Sequence, residues 1–201
     1  MSTSQPSGLR PALRTEIDDA ARRIAFSSGL GGITLRRLAS TVGVDPGLIA
    51  QHEPSMGALV ARIFEELAAD ERAQTELDLA SQPTPLDALR LLVHSLLEDS
   101  HDDYNSIWAD AWSIGRRSTP LAKAARDSMS AWNAVVHDLV ARGIAAGQFA
   151  ETEPDLVAMQ FFALIDSTTA YSLVGYRTAA DRARLVRRTL EISLGLPEAT
   201  L

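Results

Sequence analysis

The sequence TLRRLASTVGVDPGLIAQHEP, residues 34–54, has the pattern of two short helices joined by a tight turn. Apolar residues recur at spacings of three and four along the first helix, at Leu35, Leu38, Ala39 and Val42. Gly43 tolerates the positive φ that a turn requires, and Asp45 followed by Pro46 is a favourable start for the second helix. This order predicts a helix-turn-helix, whose second helix enters the major groove of DNA.

The remaining sequence predicts further helices and no sheet, because Val, Ile and Thr never alternate over a run bounded by turns. Helical periodicity marks seven more segments, at 11–28, 56–79, 86–100, 103–116, 119–146, 154–175 and 180–194. We therefore expect an all-α protein of about nine helices. A three-helix N-terminal helix-turn-helix domain would precede a C-terminal antiparallel helical bundle.

Breaks in the helical pattern suggest the domain organisation. Ser55 can cap a long helix, and the sequence SQPTP at 81–85 interrupts the chain with two prolines. We expect a DNA-binding domain at 1–54 that begins with a flexible arm at 1–9. A connecting helix at 55–80 and a C-terminal domain at 81–201 would follow.

Composition and charge limit the function classes. The chain has no cysteine, which excludes thiol chemistry and a disulfide framework. No apolar run approaches the ~20 residues of a membrane span, and the polar N-terminal segment lacks the apolar core of an export signal, so we expect a cytoplasmic protein with no membrane partner. Residues 1–62 carry a net charge of +2 and the rest −9, within a total of −7, an asymmetry that suits a DNA-binding head on an acidic body.

The chain resembles the TetR family of transcriptional regulators in the order of its helices and in its N-terminal residues. The matching residues are Arg14, Ile17, Ala20, Ala21, Gly29, Gly32, Ile33, Thr34, Leu38, Ala39, Val42, Gly43, Val44, Gly47, Pro54, Ser55, Ala58 and Leu59. A second match, to the C-terminal module of BetI-like members, covers 108–111, Trp132, Gly143, 146–149 and 163–166. The resemblance implies that 81–201 is an effector-binding and dimerisation domain.

The sequence departs from the family where DNA is usually gripped. Family members commonly carry an aromatic residue near 50, another near 52 or 53, and a lysine at 56, whereas this chain has Ala50, His52, Glu53 and Met56. Because phosphate contacts supply much of the affinity, we expect weaker DNA binding, with Glu53 repelling the backbone. The expected DNA-contacting residues are Thr34, Arg36, Arg37, Asp45, Gly47, Ala50, Gln51, His52 and Ser55.

A cluster of large apolar residues in the C-terminal half has two interpretations. The residues fill the core, which is the commoner fate of such side chains, or they line an effector pocket, which the resemblance favours. The pocket residues would then be Trp108, Trp112, Met129, Trp132, Phe162, Asp166 and Thr169. Asp166 and Thr169 would supply polar contacts, although Asp166 could instead face a dimer seam or solvent.

The last two predicted helices carry wide apolar bands that need cover. Self-association explains them better than an intrachain core, and the resemblance implies a homodimer with a four-helix interface. The expected interface residues are Leu156, Met159, Ala163, Ala170, Leu173, Leu185, Thr189 and Ile192.

Three functions remain open from the sequence. The first is a one-component regulator, a repressor whose dimer binds a near-palindromic operator in double-stranded DNA and is released by a small apolar or amphipathic effector. The second is a ligand- or protein-binding module that has the same fold and has lost operator binding. No catalytic signature is present, so we expect no enzyme and no cofactor. The helical spacing of His94, Glu98 and His101 leaves a metal-dependent enzyme as the third interpretation.

Overall fold

The protein is all-helical in the part of the chain that the structure, a computed structural model, describes: residues 9–97 and 101–201, with side chains from residue 12 onward. Nine α-helices occur in these residues: α1 (Leu9–Ser28), α2 (Leu35–Val42), α3 (Pro46–His52), α4 (Met56–Ala80), α5 (Pro85–Leu97), α6 (Asp102–Gly115), α7 (Thr119–Ala145), α8 (Pro154–Leu173) and α9 (Ala179–Ser193). The all-α prediction is confirmed. The N-terminal arm predicted at 1–9 lies, up to residue 8, outside the described residues.

The chain forms two compact units. The first consists of Met1–Leu67 and Ser106–Ala125, and the second of Ala68–Asn105 and Arg126–Leu201. The first unit therefore contains α1 to α3, the first half of α4 and most of α6. The predicted boundaries after residues 54 and 80 separate functional domains rather than compact units, and they stay a prediction.

Local sequence signals explain why the helix-turn-helix forms. The Thr34 hydroxyl accepts a hydrogen bond from the backbone N–H of Arg37 at 3.3 Å and caps α2. Gly43 ends α2 with φ of 80°, a left-handed conformation that glycine adopts without a Cβ penalty. The Asp45 carboxylate accepts from the backbone N–H of Gly47 at 2.7 Å and caps α3. Ile49 of α3 is completely buried and holds this helix against the rest of the first unit.

The second unit has its core between α5, α8 and α9. Buried side chains of α8 and α9 face each other, and α5 also packs against α9. Glu191 of α9 holds the chain end, because its buried carboxylate accepts hydrogen bonds from the backbone N–H groups of Thr200 at 2.8 Å and Leu201 at 3.1 Å. Burial alone would raise the pKa of Glu191, but these hydrogen bonds and the neighbouring Arg188 lower it on balance.

Helix α8 is unusually apolar. Within the described part of the chain it is the one helix whose length and mean hydropathy of 1.2 would allow it to cross a membrane. The core helix of a globular protein passes the same test, and α8 packs on α9 and buries Val157, Phe161 and Ile165. Only 33% of the apolar window is buried within the chain, so much of its apolar surface remains uncovered.

Candidate DNA-binding and effector sites

The predicted DNA-contacting residues all lie in one short stretch of the first unit, from the start of α2 to the start of α4. Ser55 caps α4, since its hydroxyl accepts from the backbone N–H of Ala58 at 3.2 Å. Thr34 and Asp45 likewise cap α2 and α3. The stretch therefore presents three helix starts, whose backbone N–H groups can bind phosphate oxygens.

The two arginines of α2 have different surroundings. The guanidinium of Arg37 donates to the hydroxyl of Ser28 at 2.6 Å, which ties α2 to the end of α1. Arg36 is exposed and makes no hydrogen bond or ion pair with any described residue. Arg36 is therefore available to a phosphate, whereas Arg37 also has a structural role.

The exposed edge of α3 carries Gly47, Ala50 and Gln51, which are all solvent-exposed. A Cβ at Gly47 would lie 2.9 Å from the capping carboxylate of Asp45, so a side chain there would disturb the cap. The half-buried His52 has its Nδ1 3.0 Å from the carbonyl oxygen of Leu48. Because a carbonyl can only accept, Nδ1 is the donor in this hydrogen bond, and Nε2 is left to accept from a base.

Arg62 of α4 has a structural role that no sequence pattern indicates. Its guanidinium contacts Asp18 of α1 at 2.7 Å and Glu53, at the end of α3, at 2.8 Å. Burial lowers the pKa of Arg62, but the hydrogen bond to Asp18 and the charges of Asp18, Glu53 and Glu66 raise it on balance. Because Glu53 is paired with Arg62, its expected repulsion of the DNA backbone is reduced.

A second contact that the sequence did not indicate joins α6 to the turn after α1. Gly29 has φ of 71° and ψ of 173°, a conformation restricted almost entirely to glycine. A Cβ at this position would collide with the carboxylate of Asp110 on α6. Ile114 of α6 also lies against Gly31. Helix α6 therefore contacts the segment that leads directly into α2.

Two of the predicted effector-pocket residues, Trp108 and Trp112, belong to the first unit and lie on α6. Their ring centroids are 6.1 Å apart, and Trp108 also packs edge-on against Phe64 of α4 at 5.0 Å. Both indoles are partly exposed. The indole N–H of Trp112 is buried and lacks a hydrogen-bond partner.

The other predicted pocket residues belong to the second unit. Trp132 of α7 is only 4% exposed and lies 5.9 Å from the ring of Phe162, and its indole N–H has no partner. Asp166, one helical turn after Phe162, makes no hydrogen bond or ion pair with any described residue. Burial raises the pKa of Asp166 to about 6.

Thr169 and Met129 are placed differently from the aromatic residues. The Thr169 hydroxyl donates to Asn105 Oδ1 at 3.1 Å, and both residues line a polar cavity of about 20 Å³, enough for one water molecule. Met129 is half-buried on α7, and its backbone carbonyl accepts from Asn133. The hydroxyl of Thr169 is therefore already hydrogen-bonded to another residue of the second unit.

A larger groove in the second unit was not foreseen. It has a volume of about 700 Å³, and its walls come from the end of α4, with Arg72 and Leu79, and from α7, with Ala134, Val135 and Arg142. Its size is within the range of small-ligand sites. None of the predicted pocket residues lines it.

The predicted interface residues lie on α8 and α9, and all except the half-buried Thr189 are exposed within the single chain. We call this set the apolar band: Leu156, Met159, Ala163, Ala170, Leu173, Leu185, Thr189 and Ile192. Within the single chain, Met159 is 65% and Ile192 66% exposed. Val174, just after α8, is 78% exposed and extends the band.

The histidines considered for metal binding are not gathered into a site. His101 Nε2 lies 2.8 Å from the buried carboxylate of Glu71, and Glu98 lies outside the described residues. Among residues 9–97 and 101–201, no group of three or more potential ligands is close enough to hold a metal ion.

A helix-turn-helix followed by an all-helical C-terminal part defines a class of transcriptional regulators. Residues 85–195, more than half of the chain, match the family described as BetI-type transcriptional repressor, C-terminal. The chain belongs to this family and is a TetR-family transcriptional regulator. No curated protein sequence matches it significantly.

Solved structures of transcriptional regulators share the fold. A regulator from Cytophaga hutchinsonii has 15% identity and a TM-score of 0.78, over 97% of this chain and 99% of its own. A regulator from Saccharomonospora viridis, solved in complex with choline, has 19% identity and a TM-score of 0.79, over 90% and 96%. One from Rhodococcus sp. has 17% identity and a TM-score of 0.74, over 90% and 97%. At these identities the likeness shows the fold alone.

Proposed function

We propose that the protein is a cytoplasmic repressor that binds a near-palindromic operator as a homodimer and is released by a small apolar or amphipathic effector. The observation that carries this proposal is the exposed edge of α3, where Gly47, Ala50 and Gln51 are free to meet base edges. The family description of a transcriptional repressor supports the direction of regulation.

The chemistry of the α2–α3 stretch suits DNA. Gln51 can form two hydrogen bonds with adenine, and Ala50 can contact a thymine methyl group. The exposed Arg36 and the starts of α2 and α4 would bind phosphates and fix the register of α3. Arg36 and Gln51 would make these contacts without giving up a hydrogen bond to any described residue.

The apolar band supports the homodimer. A second copy would remove the band from water and convert much of α8 from a partly exposed helix into a core helix. At ~25 cal/mol per Å², covering the exposed side chains of Met159 and Ile192 in each subunit would favour association. A two-fold axis through the band would relate the α3 helices of the two subunits by the symmetry of a near-palindromic operator.

Helix α6 offers a route from effector to DNA. Trp108 and Trp112 are on this helix, and so is Asp110, which touches the turn at Gly29. An effector that contacts the tryptophans and shifts α6 would therefore act on the segment before α2. By thermodynamic linkage, effector and operator then weaken each other's binding.

The test is a fluorescence-anisotropy titration of the dimer with duplexes that cover the region upstream of its own gene. We expect saturable binding that weakens with salt, and a loss in Gln51→Ala, which removes about 1–3 kcal/mol of base recognition. Absence of binding by the dimer even at low salt contradicts the proposal.

A second candidate is a ligand- or protein-binding module with the same fold and no operator of its own. The observation that favours it is the residue set Ala50, Glu53 and Met56, because the side chain of Glu53 is committed to Arg62 and the other two cannot bind phosphates. The double variant Ala50→Tyr and Met56→Lys separates the two candidates. A large gain of DNA affinity from no measurable binding favours the module, whereas a small gain over clear binding favours the repressor.

A further inference from the structure

Helix α3 is held to the rest of the first unit at two points on one face. The helix has seven residues, too few to keep a fixed place by its own backbone hydrogen bonds. Ile49 is its one fully buried residue. Glu53 lies four residues later on the same face and caps the end of α3, where its backbone N–H donates to the carbonyl oxygen of Ile49 at 2.8 Å. The orientation of α3 therefore depends on what holds Glu53.

The carboxylate of Glu53 is in an unfavourable place unless a cation meets it. Its side chain is only 10% exposed, and burial of an unpaired charge is costly. It also lies at the end of α3, where the helix dipole disfavours a negative charge. The guanidinium of Arg62, 2.8 Å away on α4, is the cation that makes this position tolerable. The second attachment point of α3 is therefore an ion pair.

Arg62 is itself fixed in place by other acids of the first unit. One of its terminal nitrogens donates to Asp18 of α1 at 2.7 Å and lies 3.7 Å from Glu66, and the other donates to Glu53. Glu66 in turn pairs with Arg22 of α1 at 2.7 Å. Because the donors of a guanidinium have fixed relative directions, the contact with Asp18 determines where the carboxylate of Glu53 must lie.

We propose that Arg62 is a positioning residue for DNA recognition, which acts through Glu53 to fix the rotation of α3 about Ile49. The exposed Gln51 is two residues before Glu53 and so lies on the opposite face of α3. Rotation of the helix would change the direction in which Gln51 meets a base edge, and recognition requires placement within about 0.5 Å and 10–20°. The proposal rests on the proposed function, since it names a residue on which specificity for the operator depends.

The first measurement needs no DNA and follows hydrogen–deuterium exchange of the backbone amides in the full-length protein. In Arg62→Met the amides of α3 should exchange at least about tenfold faster, because the helix is then held at Ile49 alone. Arg90→Met is the matched control. Arg90 of α5 also makes two contacts, with the carboxylate of Asp87 and the backbone carbonyl of Thr200, and its loss should leave α3 unchanged. Unchanged exchange of α3 in Arg62→Met overturns the proposal.

The second measurement is the ratio of affinities for the operator and for an unrelated duplex of the same length. In Arg62→Met this ratio should fall at least about tenfold. The slope of log affinity against log salt should stay the same, because Arg62 contacts acids of its own chain and no phosphate. A slope lower by about one would show a direct phosphate contact and overturn the proposal.

Two further variants separate positioning from stability. Ile17→Val lowers the stability of the first unit at a completely buried position outside the ion pairs, so it should keep the affinity ratio, and an equal fall there overturns the proposal. Glu53→Gln should lower the ratio, and adding it to Arg62→Met should cost no more than about a further twofold. Additive losses would show that Arg62 does not act through Glu53. Glu53→Gln alone makes the same comparison if Arg62→Met does not fold.

The two measurements keep this proposal separate from the proposed function. If the unsubstituted dimer prefers its operator and Arg62→Met keeps the full preference, the repressor stands and the positioning role is wrong. If the unsubstituted dimer binds no duplex, the repressor fails, and the exchange of the α3 amides alone decides whether Arg62 fixes this helix.

Discussion

The head, residues 12–67, and the second unit differ in how completely their side chains are satisfied within one chain. In the head, Arg62 joins three acids, and Phe26 is its one large apolar side chain that is substantially exposed among the described residues. In the second unit, the apolar band is uncovered, and Trp132, Asn133 and Arg187 have buried polar atoms without partners.

This difference indicates what each region lacks. The ion pairs of the head are made within the chain and its α3 edge is exposed, as expected for a part that binds a rigid duplex. The second unit is less complete as a single chain, because its apolar band is uncovered and three of its side chains have buried polar atoms without hydrogen-bond partners. Regulation would act through the incomplete region, whose stability depends on what it binds.

The largest expected effect comes from placing a charge in the apolar band. Ala163→Arg should convert the dimer to a monomer, because two guanidinium groups would be buried at the two-fold interface without partners. Light scattering after size exclusion measures the mass. Operator affinity should fall by at least about a hundredfold, since one half-site is bound alone.

Ala145→Arg is the matched control, because Ala145 is also exposed but lies at the end of α7 outside the band. It should leave mass and affinity unchanged. A dimer that survives Ala163→Arg places the interface elsewhere.

A smaller effect is expected when Arg62, which has a structural role, and Arg36, which is expected to contact DNA, are each replaced by alanine. Arg62→Ala leaves the carboxylate of Glu53, which is 10% exposed, without its partner and should lower the free energy of unfolding by about 2 kcal/mol. Arg36→Ala should change stability by less than about 0.5 kcal/mol. Urea denaturation measures both.

DNA titrations at several salt concentrations test whether Arg36 contacts phosphates. Arg36→Ala should weaken operator binding and lower the slope of log affinity against log salt by about one for each lost phosphate contact. An unchanged slope would show that Arg36 does not touch the backbone.

The smallest expected effect is a pH-dependent gain of stability in Asp166→Asn. The pKa of Asp166 rises from 3.8 to about 6 on folding, so the protein loses stability as the pH rises through that interval. At pH 7.5 the variant should be more stable by about 1–2 kcal/mol, after allowance for partial exposure, and the gain should vanish below pH 4.

Urea unfolding below pH 4 and at pH 7.5 measures this gain, and Asp155→Asn should show none. A gain that is the same at both pH values would mean that the carboxylate is not the cause.

Local chemistry made much of the head predictable. Gly43, Asp45 and Ser55 act within a few residues of their own position, and the structure uses them as the sequence indicates. The bounds of the helices outside the helix-turn-helix agree with the predicted segments to within two residues, α5 aside, whose predicted end falls in the undescribed residues 98–100.

Long-range contacts could not be predicted from the sequence. Arg62 and Asp18 are 44 residues apart, and no periodicity indicates that they pair. No periodicity indicates the contact between the Asp110 carboxylate and Gly29 either. Nor does any pattern indicate the hydrogen bond from Thr169 to Asn105, which lies 64 residues earlier. From its charge alone, Glu53 was expected to repel DNA. Its partner Arg62 lies nine residues later on a different helix, so the sequence does not indicate that the two side chains pair.

The most direct test of the account is selection of duplexes from a random library by the unmodified, ligand-free dimer at low salt, followed by sequencing. The exposed edge of α3 predicts an enriched near-palindromic sequence whose half-sites are centred about one helical turn apart, roughly 34 Å. Gln51→Ala should relax the preference at one symmetric pair of positions. A library that emerges without an enriched sequence would contradict the claim that this edge reads DNA.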